Sequence, residues 1–185
     1  MLSEIQLDGH SNEIYKSLVF GRIRIHCADV MLSDNALQLD IWRKDADPSP
    51  KNFIYPSWFV QNKSQTGTLI EQPFVFECVP GTYDLRRIGL AKSFHSWDRF
   101  AFITRNAKEL HLAQHIFQVP NGSMTYLGTI DIDITNLNKD NYIFGTFSYS
   151  YTLRFENNIN EDSELPKKKY PDLFNKYKDK IVLGF

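Results

Sequence analysis

Cysteine is scarce: Cys27 and Cys78 are the only two in 185 residues. They allow a single pairing, which is no disulfide framework of the kind that staples small secreted domains. Each lies at or near the end of an alternating apolar stretch, where a cysteine behaves as a small hydrophobe, so two free, buried thiols are expected. An excess of charge is also lacking. Lys and Arg number 21 against 22 Asp and Glu, a formal net charge of −1, which offers no field for a nucleic acid, and none is expected as a partner. No apolar run approaches the roughly 20 residues that span a bilayer. The opening MLSEIQLDGHSNEIYKS is acidic and lacks the basic-then-apolar order of a signal peptide. Glycine-rich phosphate loops, a GxSxG elbow and an HExxH pair are all missing. These absences point away from an enzyme and from any resident cofactor.

What is present is aromatic and alternating. Hydrophobic residues make up 42% and aromatics 14%, with fourteen Phe and nine Tyr, side chains that suit a pleated, half-buried surface. SLVFGRIRIHC (17–27) and ALQLDIWR (36–43) alternate in polarity and read as strands. A proline-rich loop follows over 44–67, with a short edge strand expected at Trp58–Val60. Thr68–Val79 and Thr82–Leu90 read as a hairpin about a type II turn at Pro80-Gly81. RFAFITR (99–105) is another strand. HIFQVPNGSMTYLGTIDIDI reads as a second hairpin, about Asn121-Gly122, and YIFGTFSYSYTLRF (142–155) as the last long strand. Near the end, Leu173, Phe174, Tyr177 and Ile181 form a helical stripe opposite lysines, with Pro171 in its first turn and Gly184 at its exit. The expected organisation is an N-terminal segment (1–16), a β-sandwich (17–160) and one C-terminal amphipathic helix (161–185) packed on it. The fold class is mainly β, an antiparallel sandwich.

LVFGRIRI, followed by GTLIEQPFVFECVPGTYDLRRI, resembles the transthyretin-like (prealbumin-like), carboxypeptidase-regulatory-like β-sandwich. The matching positions are Gly21, Phe74, Phe76, Pro80, Gly81, Tyr83 and Leu85. IFQVPNGSMTYLGTIDIDI and KKYPDLFNKY are similar to segments of small bacterial envelope lipoproteins. The resemblance implies a non-catalytic structural or binding module of the extracytoplasmic cell envelope, periplasm or outer membrane, with the cytoplasm as the alternative. It implies an envelope protein or glycan as partner, and membrane association only through a removed lipid anchor. The long insert between Trp42 and Thr68 and the absence of a lipid-acceptor cysteine near the N-terminus depart from that pattern.

Several residues are candidates for chemistry. Trp42, Trp58 and Trp97, exposed, would stack on sugar rings as a carbohydrate-binding module; buried, they would cap the core. Arg86 and Arg87, with Lys92, Arg99 and the aromatics around them, form a basic-aromatic stretch that suits an anionic or stacking ligand. His95, His111 and His115, with Asp98 and Glu109, are the dense set of metal-ligating types and would centre a metal-dependent enzyme. A closed site needs three or four convergent ligands, and ordinary surface histidines are the simpler reading. DIDITNLNKDN (131–141) superficially suggests a calcium loop, yet it lacks the mid-loop glycine and alternates like a strand with one wet face. Lys167-Lys168-Lys169 fall short of the four to eight basic residues that usually hold an anionic membrane.

Overall fold

The computed structural model describes residues 17–27, 36–44, 53–54, 69–91, 100–102, 115–141 and 146–184. Within them the chain is mainly strand, in two sheets. One contains β1 (Ser17–Cys27), β4 (Leu69–Cys78), β8 (Met124–Asn141), β9 (Thr146–Glu156) and β10 (Ile181–Leu183); the other contains β2 (Ala36–Arg43), β3 (Phe53–Ile54), β5 (Gly81–Ala91), β6 (Phe100–Phe102) and β7 (Ile116–Val119). The first two strands fall where alternation predicts them. The expected Trp58–Val60 strand, the N-terminal segment and most of the 44–67 loop lie outside the described residues.

The second sheet is antiparallel throughout, in the order β3-β2-β5, with β6 and β7 end to end along the far edge of β5. The first sheet corrects the antiparallel expectation, because it is mixed. β1 runs antiparallel to β4 but parallel to β8, and β8 carries β10 parallel and β9 antiparallel along its other edge. Parallel neighbours need a long return path, and here strands of the other sheet lie between β1 and β8 in the chain. Local alternation carries no trace of that partner.

Neither expected hairpin forms. β4 pairs with β1 while β5 pairs with β2, β6 and β7, so the Pro80-Gly81 bend carries the chain from one sheet to the other. Gly81 has φ of 157°, close to extended rather than the turn value a type II bend requires. β7 and β8 likewise belong to different sheets, and Asn121-Gly122 is a second crossing. Side chains tie both crossings down. The buried Tyr83 hydroxyl donates back to the Val79 carbonyl at 2.6 Å. The hydroxyls of Ser17 and Ser123 both donate to the Pro120 carbonyl, at 2.9 and 2.7 Å. These bonds give the carbonyls at both crossings a donor from within the chain.

Residues of both sheets form one core: Val19, Ile23 and Ile25 of β1, Phe74 and Phe76 of β4 and Ile130 and Ile132 of β8 share it with Leu39, Ile41, Tyr83, Leu85, Ile88 and Phe117. A second, smaller cluster lies on the opposite face of the mixed sheet. There Leu18, Phe20, Val75, Met124 and Tyr126 are covered by Phe174 and Tyr177. These last two belong to the C-terminal segment, which corrects another expectation. Instead of one helix it forms α1 (Ile159–Asp162), α2 (Glu164–Lys169), α3 (Pro171–Tyr177), a 3-10 turn (Lys178–Lys180) and then β10. Proline explains the breaks. Pro166 has no N–H for the Asp162 carbonyl, and Pro171 holds Tyr170 at φ −133°, ψ 60°, outside the helical region. Ile181, expected on the helical stripe, pairs with Met124 as a strand residue.

Candidate functional site

Among the described residues, the densest polar assembly lies on the outer face of the mixed sheet, beside the apolar strip that the helices cover. A bulge builds it. β1 and β8 pair regularly up to Phe20↔Tyr126 and resume at Arg22↔Thr129, so Gly21 faces two residues of β8. Gly128 adopts φ of 81° there, a conformation suited to glycine. Residues three apart on a regular strand point to opposite faces, yet the bulge brings Tyr126 and Thr129 to the same one. Both hydroxyls donate to Asp162 Oδ2, at 2.7 and 2.8 Å.

Asp162 enters from the end of α1 and is 1% exposed. Its other oxygen, Oδ1, accepts Arg22 Nε at 2.6 Å. Arg22 also reaches Glu71 at 2.6 Å and Glu161 at 2.9 Å, and Glu71 accepts Arg24 as well. Asn158 joins the set from the α1 entrance: its backbone N–H donates to the Tyr126 oxygen at 2.9 Å and its side-chain amide to Thr129 at 3.1 Å. A buried carboxylate is tolerable only when paired and bonded in this way.

The electrostatics follow from that packing. Burial works to raise the Glu71 carboxyl, but its bonds to Arg22 and Arg24 outweigh burial and hold it below its ordinary value. Burial likewise works to lower Arg22, and its bonds to Glu71 and Asp162 raise it instead. Burial and the bond to Asp162 push the Tyr126 phenol up to about 12. Further along the same face, Arg154 Nη2 donates to Asp133 at 2.6 Å and Asp131 at 3.4 Å, and His26 stands 3.7 Å from Asp133. The two aspartates once suggestive of a calcium loop are therefore strand residues tied to an arginine. On this stretch of the face ions alternate with counter-ions.

The residues singled out from sequence sit elsewhere. Arg86 and Arg87 are half-buried on β5, where a second bulge lets Arg87 face Asp40 and leaves Arg86 as the extra residue. Arg86 Nε lies 3.3 Å from Oδ2 of the buried Asp84, so it serves the sheet's own charge. The backbone register sets Trp42 opposite Asp84. Trp58 and Trp97 lie outside the described residues, as do His95, His111, Asp98 and Glu109. His115 precedes β7, its carbonyl accepting from Leu85 N–H at 3.0 Å and its ring 5.5 Å from that of Phe155. Burial pushes this imidazole below its ordinary value, against the opposing charge of Asp84. Among the described residues no three His, Cys, Asp or Glu side chains gather as a metal site. A shallow depression lined by Asn157, Asn158, Ile159, Asn160 and Glu161 adjoins the Asp162 assembly.

Sequence reasoning missed Asp162, Arg22, Glu71, Tyr126 and Thr129. The outward parity of Arg22, Arg24 and His26 against Ile23 and Ile25 was the available signal; the parity switch at Gly128 was not readable without the partner strand. In comparison with known proteins, the chain matches no family model, no curated protein and no solved structure.

Proposed function

We propose that the chain is a non-catalytic β-sandwich of the transthyretin-like type, serving as a structural or binding module of the bacterial cell envelope. One observation carries the non-catalytic part: Asp162 is buried and saturated by three donors, Arg22, Tyr126 and Thr129. A general acid or base needs reach to a substrate and a pKa near working pH. Asp162 is enclosed, and a phenol pushed up to about 12 is no base or nucleophile at neutral pH. The assembly fastens the C-terminal segment to the sheet.

The shared core of the two sheets and the crossings at Pro80-Gly81 and Asn121-Gly122 support the sandwich reading. The envelope assignment rests on the resemblance of the LVFGRIRI, VPGTYDL and TYLG stretches alone. A panel of esterase, phosphatase, glycosidase and peptidase substrates tests the catalytic side, and no turnover is expected. Turnover abolished by His115→Ala or Asp162→Asn, in variants whose circular dichroism matches wild type, would reject the reading. Fractionation of the native host tests the compartment, with the protein expected in the envelope fraction.

A further inference from the structure

The C-terminal segment carries its exposed lysines in two groups. Lys167, Lys168 and Lys169 end α2, and Lys176, Lys178 and Lys180 lie at the end of α3 and in the turn after it; all six are exposed. Over Glu164–Lys180 they meet three acids, Glu164, Asp172 and Asp179, so this segment is net positive in a chain whose total is −1. Six lysines fall within the range that holds an anionic bilayer, where three did not.

The surface is built rigidly. Phe174 and Tyr177 are buried against the sheet, and lysine ammonium groups lie over aromatic rings of the same segment. Lys167 Nζ is 5.5 Å from the Phe174 centroid, and Lys169 and Lys176 are each 5.2 Å from those of Tyr170 and Tyr177. These ammonium groups make cation–π contacts while the lysines themselves stay exposed. Two counter-charges are close: Glu164 binds Lys167 at 2.7 Å, and Glu77 faces Lys169.

Directly after Lys178–Lys180, β10 exposes Val182 (36%) and Leu183 (52%). Leu183 lies on the face that the helices cover, and cations beside an exposed aliphatic side chain are the two components of interfacial membrane binding: attraction to anionic head groups and shallow apolar burial. Single-stranded nucleic acid is disfavoured, because stacking needs exposed aromatic faces, and Phe174 and Tyr177 turn theirs inward while the exposed tip is aliphatic.

We propose that α2, α3, the 3-10 turn and β10 form a docking surface for an anionic lipid bilayer, with the lysines over the head groups and Leu183, which shares the helix-covered face with Tyr126 and Ile181, dipping between them. The inference goes beyond the reading above and stands whether or not the protein proves catalytic. The test is co-sedimentation of the full chain with phosphatidylglycerol/phosphatidylcholine vesicles and with pure phosphatidylcholine vesicles, at low and at 0.5 M salt (roughly a 4–5 Å screening length by interpolation). Binding is expected only to the anionic vesicles, with loss at high salt. The triple variant K176Q/K178Q/K180Q should bind at least tenfold more weakly, and L183D several-fold more weakly, both with unchanged thermal unfolding. Absence of binding, or binding indifferent to the lysine triple, overturns the proposal. So does binding that heparin abolishes while L183D leaves it intact, since that marks a general polyanion surface.

Discussion

At the scale of single residues, Asp162 holds the largest share of the consequences. Removing one partner of a buried ion pair costs about 3–5 kcal/mol, because the surviving charge stays buried and unmatched. Asp162→Ala should therefore lower urea-unfolding stability by roughly that amount. Asp162→Asn, which keeps an acceptor, should cost about 1–3 kcal/mol. Several shifted groups make stability depend on pH, among them Glu71, His115 and Tyr126. Glu71 titrates lower in the folded chain than its ordinary value of 4.5, so its contribution is present above 4.5 and disappears as pH falls through the depressed folded value. His115 is also lowered, from 6.5, and its contribution is complete above 6.5 and lost on acidification through its folded value. Tyr126 behaves in the opposite sense: raised from 10.0 to about 12, it contributes fully below 10.0 and that contribution is lost as pH climbs through about 12. Urea midpoints measured from pH 3 to 11.5 should fall toward both ends, and His115→Ala should remove the part of the acid limb that begins below 6.5.

At the scale of elements, the strands were legible and their partners were not. The apolar pattern of SLVFGRIRIHC and ALQLDIWR marks β1 and β2 to the residue; in β1 the polar alternation begins only at Arg22, because Ser17–Gly21 is buried on both faces. The hairpins were misread, although the chemistry against them was visible. A type II turn splays its flanking strands instead of matching their twist, so Pro80-Gly81 was a poor hairpin turn from the start. In a two-residue Asn-Gly loop the preceding residue must donate an N–H to close the ladder; here it is Pro120, which has none. The C-terminal stripe was legible only in part: Pro171 does open α3, but the helix stops at Tyr177 and Ile181 joins β10 instead, while Pro166 and Pro171 divide the turns before it. Asp162 had no local signal at all. Its partners on β1 and β8 meet only because a bulge and a distant pairing put them together. That bulge is itself a tight fit. A Cβ on Gly21 would lie 2.6 Å from the Gly128 carbonyl oxygen and 2.8 Å from the Phe74 ring. Gly21→Ala should cost about 1–3 kcal/mol by overpacking, read from the shift in thermal midpoint.

At the scale of the whole molecule, the two thiols report on global opening. Cys27 and Cys78 are free and buried in the core shared by both sheets, and burial pushes the Cys78 thiol up to about 12. Ellman's reagent should label neither in the native protein and both in denaturant. Native-state labelling should proceed at the rate of global unfolding, as expected for groups deep in the core. The same molecule is divided in charge, with a self-neutralised ionic face on one stretch of the mixed sheet and exposed lysines on the segment that straps the next. The parallel pairing of β1 with β8 has a consequence during biosynthesis. The first strand leaves the ribosome with one long edge whose partner begins at Met124; at about 5–20 residues per second, the nascent chain must guard that apolar ribbon for several seconds before its neighbour emerges.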